Sequence, residues 1–273
     1  MTRIYRELTE EAAALKSDLY STKTEKKHFG KITVFSGENK RTGKTYYTIS
    51  SATDLFRNSE QKEYLRIELA RALGSLFDKY SFCPSSKVMV VGLGNEKITA
   101  DSLGARVADK LTVTGHLYSG DEGIRARFGN LCALKSSVGG VTGIESFDLI
   151  SAAAKIAKPD LIVAVDTLSC GKTERLGNTI QLTDNGIEPG GGVNNPKKKL
   201  SLVTLKTPVI AVGVPFVIYV RTILSEFGAE KCPAETGSLV VTAKDVDFLV
   251  EDYSDVIASA LDEVVHSRPM SLI

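Results

Sequence analysis

The chain lacks any apolar run approaching the ~20 residues that a membrane-spanning helix requires. Its first residues, Met1-Thr2-Arg3-Ile4-Tyr5-Arg6-Glu7, contain no apolar signal core, so the expected location is the cytoplasm. There is no excess of one charge: 34 Lys and Arg face 33 Asp and Glu, a net charge of +1. That balance removes the global electrostatic case for direct binding of nucleic acid. Cys83, Cys132, Cys170 and Cys232 are scattered, and no C-x-x-C pair exists, which argues against a zinc knuckle. They read as reduced, mostly buried thiols. Cys170 follows Asp166 closely and is weighed as a nucleophile against that plainer reading. His28, His116 and His266 show no metal-ligand spacing, so no metal and no cofactor are expected. No internal repeat or low-complexity tract is present.

What remains is an ordinary globular composition, 42% hydrophobic and 25% charged over 273 residues. The expected division is a charged N-terminal arm over residues 1–30, helical near Glu7–Leu19, and one α/β domain over 31–273. The β-rich runs at 31–36 and 44–50 predict a hairpin extension. Its turn carries Gly43-Lys44-Thr45, superficially like a phosphate-binding loop. Gly37 is one residue too far away for that motif, and a strand follows where a helix is needed. Apolar positions from Ser59 to Asp78 suit an amphipathic helix. Residues 118–142 read as a long connection, Thr142–Lys158 as a helix ended by Pro159, and 215–227 and 243–265 as further helices. Asn178–Leu182 and Val209–Val214 read as strands. Strand and helix alternate from Lys87 onward. The predicted fold is therefore α/β, a mostly parallel sheet flanked by helices.

Two apolar segments dominate that reading. Val88–Leu93 opens into Gly94-Asn95, with Asp101 six residues after Asn95. Leu161–Val165 runs straight into Asp166. Such runs predict buried parallel strands, whose carboxyl ends gather ligands. Asp101, near the start of a helix expected over Ser102–Leu111, could simply cap it, and Asp166 could cap a turn. Together they could share one proton and activate a water, because two close carboxylates cannot both ionise cheaply. Val91-Gly92-Leu93-Gly94-Asn95 starts like a dinucleotide fingerprint, but Lys97 stands where its third glycine belongs. The plainer reading is a tight turn in which glycine relieves crowding. Asp184 and Glu188 flank a glycine-rich loop at 186–195, where solvated loop residues are the expected account. Lys197-Lys198-Lys199 reads as solvated surface, and Arg175 as a partner for a carboxylate.

Seven blocks in order resemble the spore germination protease family. They are 91–95, 99–104, 113–117, Gly-Val-Thr-Gly-Ile-Glu-Ser at 140–146, Lys-Pro-Asp-Leu-Ile-Val-Ala-Val-Asp at 158–166, 174–193 and 208–215. The resemblance implies an endopeptidase that degrades small acid-soluble spore proteins during germination, in the spore core or forespore. It implies a zymogen that removes its own N-terminal segment, a tetramer, and a fold like that of hydrogenase maturation endopeptidases. The family's two proposed catalytic aspartates map onto Asp101 and Asp166. Within the blocks, Asn95, Gly140, Thr142, Glu145, Arg175, Asp184 and Glu188 become candidate substrate contacts.

Departures cluster around the same residues. Ala105 stands where the family usually has proline, and Thr167-Leu168-Ser169 replaces Ala-Leu-Ala after the second aspartate. Ser137-Val138-Gly139-Gly140-Val141 replaces Pro-Gly-Val-Met-Gly, and no clear processing site is found. A metal-dependent maturation protease of the same fold and a non-catalytic homologue stay open as alternatives.

Overall fold

The computed structural model describes residues 17–51, 58–118, 120–189, 198–229 and 233–266. Most of the expected N-terminal helix and the loop 190–197 lie outside the described residues. Asn58 begins the first long helix, its side-chain oxygen accepting the Gln61 N–H at 3.0 Å. This helix, α1, spans Ser59–Lys79 and buries Leu65, Leu69, Leu73, Leu76 and Phe77, a stripe at helical spacing. The remaining helices are α2 (Leu103–Lys110), α3 (Glu122–Arg127), α4 (Gly139–Thr142), α5 (Ser146–Ala157), α6 (Leu202–Leu205), α7 (Val220–Glu226) and α8 (Val246–His266). Lys158 takes a left-handed conformation after α5, and Pro159 prevents its continuation.

Among the described residues, nine strands form one mixed sheet in the order β1-β2-β3-β7-β8-β6-β4-β5, with β9 also on β8. They are β1 (Tyr20–Lys27), β2 (Ile32–Asn39), β3 (Thr45–Ser51), β4 (Lys87–Gly92), β5 (Asn130–Lys135), β6 (Leu161–Ser169), β7 (Thr179–Thr183), β8 (Val209–Tyr219) and β9 (Val240–Thr242). The predicted parallel core is present as β5-β4-β6-β8. Both its central strands are almost wholly buried, as their unbroken apolar runs required. The remaining pairings are antiparallel, and the expected hairpin extension is β2 and β3 with β1 added outside.

The structure corrects three local expectations. The long connection at 118–142 contains α3 and the edge strand β5. Residues 215–219 continue β8, and the helix begins only at Val220. Part of the presumed N-terminal arm, Tyr20–Lys27, is a strand paired along its length with β2. β5 was hidden because its partly exposed, lysine-ended sequence lacks the apolar run of a central strand.

The core has two layers. One joins α1, α2 and α8 to one sheet face through Leu73, Phe77, Leu103, Val107, Val163, Val165, Phe216 and Tyr253. The other packs Ile150 and Ala154 of α5 on Met89, Val91, Ile162, Ala164 and Leu168. Among the described residues, no helix is long and apolar enough to cross a membrane.

Candidate functional site

β4 and β6 lie side by side in register, Gly92 opposite Val165. Just past that pair, the Leu93 N–H donates to the Val165 carbonyl at 2.8 Å. Asp166 is therefore the next residue on one strand as the chain leaves the other through Gly94-Asn95. A short 3-10 turn, Thr99–Asp101, brings the second aspartate back to the same edge. Its Oδ2 accepts the Asn95 N–H at 2.8 Å, closing the loop between them. Gly94 sits at φ +90°, and a Cβ there would fall 2.1 Å from the Asp101 carbonyl oxygen. Only glycine takes this conformation and leaves room for the aspartate.

Gly104 is the second small residue on which the edge depends. A Cβ would stand 2.4 Å from the Val165 oxygen and 2.5 Å from both N and O of Leu93. The absence of a side chain lets the first turn of α2 touch the chain leaving β4 toward Asp101 and the backbone of β6 just before Asp166. Ion pairs from Arg106 to Glu251 and from Lys110 to Glu251 and Asp255 tether α2 to α8 at 2.6, 2.7 and 2.5 Å. They are largely exposed, so packing holds the helix more than charge does.

The aspartates differ in setting. Burial pushes the Asp101 carboxyl above the ordinary carboxylate range, and the Asn95 N–H offsets this only in part. Asp166 is buried in β6, and its Oδ1 accepts the Thr167 N–H at 2.9 Å. Asp166 faces the α5 layer, in the alternation of Ile162, Ala164 and Leu168. Asp101 approaches from the α2 side, where Ala100 joins the other core.

The other candidates divide between two ends of the sheet. Asn95 lies in the aspartate loop. Gly140, Thr142 and Glu145 are exposed on the segment that follows β5, at the same carboxyl edge. There Thr142 Oγ1 donates to the Ile144 carbonyl at 2.9 Å, folding the segment on itself. Arg175 is buried in the 3-10 turn Thr173–Arg175 between β6 and β7. Burial lowers its pKa, and Glu226 acts in the opposite sense.

Asp184 and Glu188 lie elsewhere. β7 runs against β8, so its end points toward the amino ends of the parallel strands. Thr183 pairs with Ala211, and Asp166 with Gly213. Asp184 is thus displaced by about three residues, roughly 10 Å, back along the strands. The solvated reading of Asp184 is corrected. Its carboxylate is buried and accepts the Thr45 N–H at 2.7 Å, the Tyr80 hydroxyl at 2.8 Å and Lys79 Nζ at 2.6 Å. Glu188 is exposed, as expected. Lys199 is half-buried, and burial lowers its pKa while Glu188 raises it.

Cys170 is buried, its thiol pushed up to about 12 by desolvation, which disqualifies it as a nucleophile. Among the described residues, no three His, Cys, Asp or Glu side chains gather as metal ligands would. Sequence reading missed Gly104 and the Thr167 N–H. A glycine in the first turn of an amphipathic helix, three residues beyond a candidate aspartate, was the available signal for the former.

The family model described as Germination protease matches residues 9–228. The chain belongs to this family. It is 36% identical over 256 residues to the germination protease of Clostridium acetobutylicum, covering 80% of this chain and 77% of that one. Against the Bacillus subtilis germination protease, identity is 36% over 182 residues, 66% of this chain and 50% of the relative. The Oceanobacillus iheyensis germination protease is 43% identical over 159 residues, 58% and 43% of the two chains. The match thus spans about half or less of the two bacillar relatives. Asp101 and Asp166 both fall within the segment matched by the germination protease family.

Proposed function

We propose that this chain is an endopeptidase that hydrolyses small acid-soluble spore proteins during germination, with Asp101 and Asp166 activating a water. The observation that supports the reading is that the buried Asp166 lies in β6 just beyond the end of the adjacent parallel strand β4, and that the half-buried Asp101 returns on a 3-10 turn to bond the loop leaving β4. Elevated by burial, the Asp101 carboxyl is suited to keep a proton and donate it to the scissile carbonyl oxygen. Asp166 then acts as base. It takes a proton from water as the water oxygen attacks the carbonyl carbon. The tetrahedral intermediate collapses when that proton passes to the amide nitrogen. The C–N bond breaks, and Asp101 recovers its proton from the intermediate. The titration of such a pair belongs to both groups together.

Asn95, Gly140, Thr142, Glu145 and Arg175 border the same edge and are proposed substrate contacts. Asp184 and Glu188 are not carried into that role, because they sit toward the other end of the strands. From the resemblance, the proposal extends to a tetramer, to removal of an N-terminal segment, and to action in the spore core or forespore. Gel filtration showing a monomer at micromolar concentration would remove the tetramer.

The test is cleavage of purified small acid-soluble spore proteins, with fragments identified by mass spectrometry. Asp101→Asn and Asp166→Asn run alongside, with and without a strong chelator. Discrete fragments lost in both variants and indifferent to chelator support the aspartate pair. Loss in chelator supports the metal-dependent alternative, and unchanged cleavage in both variants refutes the pair.

A further inference from the structure

Alternation along β6 separates its two faces. Val163 and Val165 face α1, α2 and α8, whereas Ile162, Ala164 and Leu168 face α5. Thr167 continues the first series, so its side chain lies on the α2 side. The turn that ends in Asp101 packs against β6 there. Thr167 is therefore bonded to one aspartate and turned toward the side of the sheet from which the other comes. Its N–H donates to Asp166 Oδ1 at 2.9 Å, and its side chain faces the layer from which Asp101 comes.

The hydroxyl of Thr167 is buried and has no hydrogen-bond partner among the described residues. The residue as a whole remains partly exposed. An orphaned buried hydroxyl is destabilising, and valine would fill the same space without that cost. A 120° rotation about χ1 carries the oxygen to another staggered position.

We propose that Thr167 is a further catalytic residue, whose hydroxyl hydrogen-bonds the oxygen held between Asp101 and Asp166. The bond forms first to the attacking water and then to the tetrahedral intermediate. The assignment rests on the aspartate-pair reading above. Thr167 keeps its proton throughout and forms no covalent bond. Its role is to add a donor where charge develops, at a point where the resting enzyme leaves the hydroxyl unused. A single neutral hydrogen bond of this kind is worth roughly tenfold in rate, so the residue tunes the reaction and does not make it possible.

The experiment compares the full chain with Thr167→Val, Thr167→Ser and Asp166→Asn on a purified small acid-soluble spore protein. The expected result for Thr167→Val is a roughly tenfold fall in kcat with KM unchanged and a urea midpoint equal to or above that of the unmodified chain. Thr167→Ser should restore most of kcat. Full activity in Thr167→Val overturns the proposal. So does a loss of activity that serine fails to rescue, or one accompanied by a lower midpoint, because either marks a structural role. An inactive Asp166→Asn beside a fully active Thr167→Val removes Thr167 alone. An active Asp166→Asn removes the aspartate pair and Thr167 with it.

Discussion

Replacing Gly104 by alanine probes the contact that brings both aspartates to one edge. The new methyl would lie 2.4 Å from the Val165 oxygen and 2.5 Å from Leu93 N and O. An unstrained carbon–oxygen contact is about 3.3 Å, so relief needs a shift of about 1 Å. All three opposing atoms are backbone, and no side chain can rotate away. Leu93 N and Val165 O are also the two ends of a 2.8 Å hydrogen bond. The chain must therefore lift α2 from the sheet or break the bond that joins the end of β4 to β6.

Overpacking of this kind costs about 1–3 kcal/mol. A lost hydrogen bond adds about 1 kcal/mol. Alanine returns about 1 kcal/mol through its better helix propensity. The net expectation is a destabilisation of about 1–3 kcal/mol, read as a lower urea midpoint. Activity should fall further than stability. Displacing a catalytic group by about 1 Å costs on the order of a hundredfold in rate. Propensity alone predicts the opposite sign for stability. A Gly104→Ala chain with a raised midpoint and full cleavage activity would refute the packing argument.

Asp101→Asn should raise stability at neutral pH while abolishing cleavage. Asp101 has a folded pKa above its unfolded value, so its ionisation penalises the native state. That penalty is absent below the unfolded pKa, about 3.9, and complete above the folded one. The midpoints of the two chains should therefore coincide near pH 3 and separate as pH rises, and equal midpoints at pH 7 would contradict the burial argument. Asp184→Ala leaves Lys79, Tyr80 and the Thr45 N–H without their shared acceptor. Breaking such a buried cluster costs about 3–5 kcal/mol. Denaturant unfolding should show that loss, with KM unchanged in the fraction that stays folded, and a raised KM at unaltered stability would return Asp184 to substrate binding. Cys83 is exposed, and hydrogen bonds from Ser85 and Ser86 lower its pKa. Iodoacetamide should modify Cys83 well before Cys170 and leave cleavage intact, as mass mapping of the native protein can check.

The local sequence already determined the elements that hold the site. Unbroken apolar runs at 88–93 and 161–165 can be buried on both faces only inside a parallel sheet, and an aspartate ends or follows each. The spacing of Leu65, Leu69, Leu73 and Leu76 dictates α1, and Pro159 dictates the end of α5. These are short-range effects of periodicity and backbone sterics, legible without knowledge of neighbours. β1, β5 and β9 were not legible, because edge strands carry polar or exposed residues whose pairing depends on distant segments.

Tertiary structure alone decided which candidates share an edge. Asp184 stands 18 residues beyond Asp166 in the chain, yet the reversal of β7 sends it toward the other end of the sheet. Gly104 became essential only when α2 met the backbone of Leu93 and Val165. Elevation of the Asp101 carboxyl likewise comes from burial, a property of everything packed around it. Pattern along a chain specifies what each segment can be. Register, strand direction and the close approach of backbones specify what it stands beside, and the chemistry depends on that.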